Sequence, residues 1–404
     1  MMKANTLRKG IAWFAALCLF FGSAFSAAAH GEITPTDGES RETVSDVGVE
    51  EGALGLSCQS AVLMEATTGA VLYTQNPNQA LPPASVTKIM TLLLVMEALD
   101  GGIIRPESPV TVSANAASMG GSQIYLKEGE QMSVEELLKS VVIASANDAA
   151  VALAEYLCGS VPVFVEKMNA KAKQLGMKDT FFENVTGLDD TAERHLTSAY
   201  DIALMSRELI RHEMILQYSS IWMDTIRDGA FGLTNTNRLV RFYPGCTGLK
   251  TGSTSKAGFC VSVTAEREEL SLICVIMGAE SRDVRNAAAT QLLDWGFANY
   301  ALYRSDNTEL GELCVTGGTS EKCRVGCSAF ACVVPKSELS DVRQEITLPE
   351  SVAATVRAAD RVGSIRFLAG ERVLGELPII ATETVERINF FQIFRRNLAR
   401  FLLI

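Results

Sequence analysis

The sequence predicts a mixed α/β domain followed by a small all-β domain, and three observations carry that reading. A pair of short strands lies at 60–76, helical patterning fills the middle of the chain, and a long apolar hairpin after Gly248 leads into one more helix. From about residue 303 only strand-like runs and polar turns follow. A chain of 404 residues is long enough for two domains with proper cores. Its 48% apolar and 7% aromatic shares are those of a globular protein. The formal charge of −11 argues against a nucleic-acid binder, because neutralising phosphates needs a basic footprint.

Residues 1–29 read as an export signal. Lys3, Arg8 and Lys9 make a positive opening, Ile11 to Phe25 an apolar stretch, and Ala27 to Ala29 a small-residue cleavage site. The apolar stretch falls short of the roughly 20 residues that a membrane span needs. Removing those three cations takes the charge from −11 to −14. Residues 30–57, acidic and rich in Gly, Ser and Thr without periodicity, read as a flexible leader.

The catalytic-domain candidate runs from 58 to 300. "SAVLMEATTGAVLYTQN" gives two strands around the turn Thr67-Thr68-Gly69. A helix begins near Ser85, with Val86, Met90, Leu93 and Met96 on one stripe. Ser133 and Glu136 form a capping box for a helix that stops near Ser145, and "DAAVALAEYLC" restarts a helix that ends at Gly159. "GLKTGST", "GFCVSVTA" and "LSLICVIMGA" are strands, and "NAAATQLLDWGFANYAL" is the closing helix. Residues 301–384 form the small β-domain.

In the last twenty residues, 385–404, Phe391, Phe394, Leu398, Phe401 and Leu402 share one helical face, with Arg396, Arg400, Asn389 and Gln392 opposite. Four arginines exclude a comfortable span, so the expectation is a basic amphipathic helix lying in a membrane interface; a terminal helix packed on its own protein is the alternative. Nine cysteines remain beyond the signal. Buried thiols are the leading expectation and a disulfide the next, since Cys314, Cys323, Cys327 and Cys332 lack the paired spacing of a zinc site. No metal or cofactor is expected.

The chemistry gathers on three short stretches. Serine is a weak nucleophile without a base within hydrogen-bond reach. Of the three histidines, His195 alone suits a Ser-His-Asp arrangement. Lys88 offers a better base for Ser85: three residues on, the two side chains share a helix face, and burial with a second cation nearby would hold the amine neutral. An S-x-x-K spacing by itself is common on solvated faces. Ser145-Ala146-Asn147 between two helices reads alone as an ordinary cap. Lys250-Thr251-Gly252 sits on a strand, where the glycine lets a ligand's backbone come close. Together, and in order, the three form a set.

That set resembles the motifs of penicillin-binding proteins and class A β-lactamases. The chain is similar to low-molecular-mass penicillin-binding proteins, the serine-type D-alanyl-D-alanine carboxypeptidases, from residue 58 onward. The likeness extends to "IYLKEGEQMSVEELL", "SANDAAVALAE", "FFENVTGLDD", "HLTSAYDIALMSREL", "TNTNRLV", "GLKTGSTSKAG" and "SRDVRNAAATQLLDWGF".

The resemblance implies the penicillin-binding-protein fold and a role for each matching residue. Ser85 attacks the carbonyl between the terminal D-alanines with Lys88 as base. Ser145 and Lys250 relay a proton to the leaving amine, and Asn147 holds the acyl-side amide. The backbone N–H groups of Ser85 and Ser253 form an oxyanion hole, while Lys250, Thr251, Gly252 and Arg285 recognise the terminal carboxylate. Implied partners are peptidoglycan pentapeptides, β-lactams as covalent inhibitors, and a membrane surface on the outer face of the bacterial cytoplasmic membrane. A β-lactamase is the nearest rival, although no glutamate pattern for fast deacylation stands between Asn147 and Lys250. A β-lactam receptor without turnover, or a structural wall protein, is the non-enzymatic rival.

Overall fold

The computed structural model describes residues 50–402 apart from 191 and 307. The export signal expected over 1–29 and most of the leader lie outside the described residues.

A six-stranded sheet carries the first domain, in the order Glu50–Glu51, Val71–Gln75, Ser60–Glu65, Leu270–Ala279, Gly258–Arg267, Cys246–Thr254. Side chains alternate across it and both faces are dry. Leu63, Leu272 and Cys274 point to one side, against Ala288, Leu292 and Leu293 of the helix Arg282–Asn299. Val62, Met64, Ile273 and Val275 point to the other, against a larger all-helical mass. At the centre of that mass is the helix Lys88–Asp100, and ten of its thirteen residues are buried. The expected single stripe is therefore too narrow. The helix is enclosed by four others, Val134–Ile143, Asn147–Cys158, Val161–Gln174 and Ala199–Leu209, and has almost no wet face.

Two expected boundaries move. Residues 50–57 are not all leader: Glu50 and Glu51 pair in parallel with Tyr73 and Thr74, and Leu56 is buried in the sheet's outer core. The C-terminal helix begins at Phe390, not at 385. Val385 instead bridges Val356 and is buried, because it completes a small core with Val315, Cys323 and Ala381.

The second domain is all-β. Its main sheet runs Val342–Thr347, Arg361–Ala369, Arg372–Ala381, Lys322–Gly326, Glu309–Thr316, Ser351–Ala353, with the pair Tyr300–Ser305 and Phe330–Pro335 beside it. Phe330 stacks on Phe367 in its core. All nine cysteines of the described residues remain thiols; five are buried and Cys314 is exposed. No single helix among the described residues is long and apolar enough to cross a membrane.

Candidate active site

Ser85 lies in a 3-10 turn, Ala84–Thr87, and Lys88 is the first residue of the α-helix that follows. A 3-10 turn has three residues per turn, so side chains at i and i+3 eclipse. Lys88 Nζ accordingly lies 2.9 Å from Ser85 Oγ. Its other neighbours are Asn147 Oδ1 at 2.6 Å and the Thr186 carbonyl at 2.9 Å. Both of those can only accept, whereas a serine hydroxyl can donate. A neutral amine satisfies all three contacts by donating twice and turning its lone pair to the Ser85 proton. Burial, then repulsion from Lys250, holds the Lys88 amine well below its ordinary range, with Asp148 pulling weakly the other way.

Asn147 differs from expectation. Its Nδ2 donates to the Gly120 carbonyl at 2.7 Å and its Oδ1 faces Lys88, so the side chain is turned inward and only 2% exposed. It clamps the lysine instead of reaching into the cavity. Ser145 is no helix cap either: the following helix has no side-chain cap, and Ser145 Oγ accepts from Lys250 Nζ at 2.9 Å. Ser145 sits at φ 63°, a left-handed conformation uncommon for a residue with a Cβ. Lys250 is buried, and burial followed by the nearby Arg285 pushes it down to about 7.

The strand Cys246–Thr254 brings Lys250, Thr251, Gly252 and Ser253 alongside this turn. Gly252 serves a purpose other than the one expected. A Cβ there would meet Pro83 O, Ser85 N and Val86 N at 2.8 to 2.9 Å, so the glycine admits the nucleophile's own backbone. A cavity of about 150 Å³ results, lined by Ser85, Ser145, Thr251, Gly252, Ser253 and Arg285 of the expected set. Arg285 is buried beneath it, lowered to about 10 by burial and by Arg282.

Ser122, Thr236 and Arg282 line the same cavity and were not singled out from the sequence. Thr236 belongs to "TNTNRLV". Its N–H donates to Ile143 O at 3.0 Å and its hydroxyl accepts from Thr251 Oγ1 at 2.9 Å. Ser122 is held through its carbonyl, which accepts from the Asn147 N–H at 2.7 Å, and Asp148, a fully buried carboxylate, accepts from the N–H groups of Ile124 and Leu126 just after it.

His195 is not brought to Ser85. Its Nδ1 accepts from Glu183 N at 3.0 Å, which leaves the proton on Nε2 to be donated to Thr87 Oγ1 at 2.7 Å. Thr87 in turn donates to Ala84 O at 2.8 Å. Burial lowers the imidazole to about 4. Ala84, at φ 48°, immediately precedes the nucleophile. Gly187 presses on its carbonyl so closely that a Cβ would come within 1.8 Å.

Comparison with known proteins agrees with this geometry. Residues 48–281 match the peptidase S11 family, D-alanyl-D-alanine carboxypeptidase, and residues 297–387 match the C-terminal domain of penicillin-binding protein 5. The D-alanyl-D-alanine carboxypeptidase DacF of Bacillus subtilis is 41% identical over 87% of this chain and 92% of its own. Penicillin-binding protein 5 of Haemophilus influenzae superposes with a TM-score of 0.72 at 30% identity, covering 82% of this chain and 98% of that one. Penicillin-binding protein D2 of Listeria monocytogenes, solved in an ampicillin-bound form, gives a TM-score of 0.56 at 33% identity over 60% of this chain and 98% of its own. The chain belongs to the peptidase S11 family of D-alanyl-D-alanine carboxypeptidases.

Proposed function

We propose that this protein removes the terminal D-alanine from peptidoglycan pentapeptide stems through an acyl-serine intermediate, and that β-lactams acylate the same serine. The observation that carries the reading is the buried Lys88 amine, 2.9 Å from Ser85 Oγ and shifted by its burial toward the neutral form.

Lys88 takes the Ser85 proton as Oγ attacks the carbonyl carbon of the penultimate D-alanine. The oxyanion is held by the backbone N–H groups of Ser85 and Ser253, a kind of contact worth about 3–4 kcal/mol per donor in hydrolases. The C–N bond then breaks as Ser145 passes a proton to the departing nitrogen and is resupplied by Lys250, whose Nζ is 2.9 Å away. Lys250, Thr251 and Arg285 hold the terminal carboxylate, and Asn147 fixes the Lys88 amine. Lys88 then hands the Ser85 proton on to refill Lys250, so that it is neutral again in the acyl-enzyme. In deacylation a water gives its proton to this neutral Lys88 as it attacks the ester carbon, and that proton restores Ser85.

The reading extends to location. The sequence signals at 1–29 and the apolar face of the C-terminal helix support an exported enzyme resting on a membrane surface. Phe391, Phe394 and Phe401 of that helix are exposed, Phe401 by 85%.

Release of D-alanine from a diacyl-Lys-D-Ala-D-Ala peptide tests the function. Catalytic release that Ser85→Ala abolishes is expected. A single stoichiometric acylation, or hydrolysis of penicillin without release of D-alanine, overturns it.

A further inference from the structure

A second cavity, of about 350 Å³, adjoins the first. The two share Thr236 and Arg282 as a common wall, and the second continues past Trp222, Arg238 and Phe242. Among the described residues no acidic side chain lines it, although the chain as a whole carries 47 acidic and 36 basic residues. Arg238 and Arg282 both face it, and among the described residues neither guanidinium is held by a carboxylate. Arg241 lies over the ring of Trp222 at 5.5 Å, which adds a third cation to the same rim. Trp222 supplies an aromatic wall, although its Nε1 is buried away from the cavity and has no hydrogen-bond partner among the described residues. Donors without acceptors, in a concave site walled by aromatic faces, select an anion.

Position says which anion. Thr251 and Arg285 line the first cavity and, on the carboxypeptidase reading, hold the terminal carboxylate, while the scissile amide meets Ser85. Of the C-terminal residue only the side chain is then left to extend past Thr236 and Arg282 into the second cavity. D-alanine carries a methyl group and leaves the second cavity empty.

We propose that this second cavity is a subsite for a carboxylate on the side chain of the departing C-terminal D-residue. The inference rests on the carboxypeptidase reading above. The bonds made and broken are those of the same acyl transfer; only the leaving amine differs. Arg238 and Arg282 pair with the added carboxylate, and Trp222 and Phe242 pack on the methylenes that carry it. The enzyme therefore accepts acidic leaving residues as well as D-alanine.

The test compares acyl-D-Ala-D-Xaa peptides ending in D-Ala, D-Gln and D-Glu, using the full-length protein and Arg238→Gln. D-Glu and D-Gln are nearly isosteric, so their ratio isolates the charge. The expected kcat/KM for D-Glu exceeds that for D-Gln by about fivefold in the unaltered protein. Arg238→Gln lowers the ratio to about two, Arg282 remaining, and leaves D-Ala release unchanged, since Arg238 is outside the catalytic cavity. A ratio of one or less in the unaltered protein, or a preference undiminished by Arg238→Gln, overturns the subsite while the carboxypeptidase reading stands. Failure to release D-alanine from any peptide overturns both.

Discussion

Gly252 packs its Cα against the backbone of Ser85, with no room for a methyl group between them. The third motif thus shapes the first: the strand can bring Lys250 to Ser145 only because residue 252 lets it lie against the 3-10 turn. In Gly252→Ala the added Cβ meets three backbone atoms at 2.8 to 2.9 Å, and none of them is a flexible side-chain end. The strand or the turn must shift. A misplacement of about 1 Å at reacting groups costs about a hundredfold in rate. The expected result is a comparable loss in the second-order rate of penicillin acylation, with a cooperative unfolding transition retained. Unaltered acylation by this variant would show that the close approach has no catalytic consequence.

Asp148 and Lys88 make a prediction with a sign. The Asp148 carboxylate favours the protonated form of Lys88, although burial and Lys250 outweigh it. Asp148→Asn removes that pull, so Lys88 loses its proton at lower pH than before. The acid limb of the acylation rate is therefore expected to move to lower pH. The same change turns an amide N–H toward the N–H of either Leu126 or Ala149, which bond opposite oxygens of the carboxylate, and this costs about 1–3 kcal/mol in stability. Stopped-flow acylation across pH and urea unfolding measure the two effects separately. A limb that moves upward contradicts the assignment of Lys88 as the base.

Much of this was legible in the sequence because periodicity and short spacing are local. The capping box at Ser133 and Glu136 is present, and the hairpin after Gly248 falls where alternation places it. What escaped depends on distant neighbours. The stripe read on the Lys88 helix was too narrow because a sequence does not say how many helices surround it. Asn147 was expected to face a substrate, and its inward turn is set by the Gly120 carbonyl and by Lys88, which are 27 and 59 residues away. Thr236 and Arg282 lie in stretches that carried the resemblance, yet no local pattern marks them as cavity walls. The tail boundary expected at 385 moves to Phe390 because Val385 is buried in the β-domain.

His195 steadies the backbone beside the nucleophile instead of serving as its base. Through Thr87 it holds the carbonyl of Ala84, a residue in a left-handed conformation that its neighbours must enforce. His195→Ala is expected to lower kcat about tenfold with KM little changed. Partial rescue by His195→Gln, whose amide N–H can reach the Nε2 position and donate to Thr87, would mark positioning. Its titration supplies a second readout. The folded imidazole is depressed from 6.5 to about 4, so between those values the unfolded chain binds a proton that the folded chain refuses. Stability therefore falls as pH drops through that window, by about 2 kcal/mol near pH 4.5. Urea unfolding at pH 7 and 4.5 checks this, and His195→Gln should lack that share of the acid loss. An equal acid loss in both proteins contradicts the neutral, buried histidine.

The C-terminal helix makes the last prediction, and the structure chooses where to cut. A deletion from 385 removes Val385 from a buried core and the Glu386 carbonyl that accepts from Thr319 N, so it confounds loss of the helix with damage to the β-domain. A deletion from Phe390 spares both. The helix is tied to its own domain chiefly through Arg396, which donates to Gly318 O at 2.8 Å and pairs with Glu321. Its apolar residues gain little from that contact: Phe390, Phe391, Phe394 and Phe401 are all more than half exposed. Burying one such side chain in an apolar phase stabilises by about 1.5–3 kcal/mol, so several together suffice for firm attachment to lipid. The protein ending at Asn389 is expected to stay in the supernatant when sedimented with anionic vesicles, and to keep the D-alanine release of the full chain. The full chain should pellet. Pelleting of the shortened protein to the same extent would place the membrane contact elsewhere on the molecule.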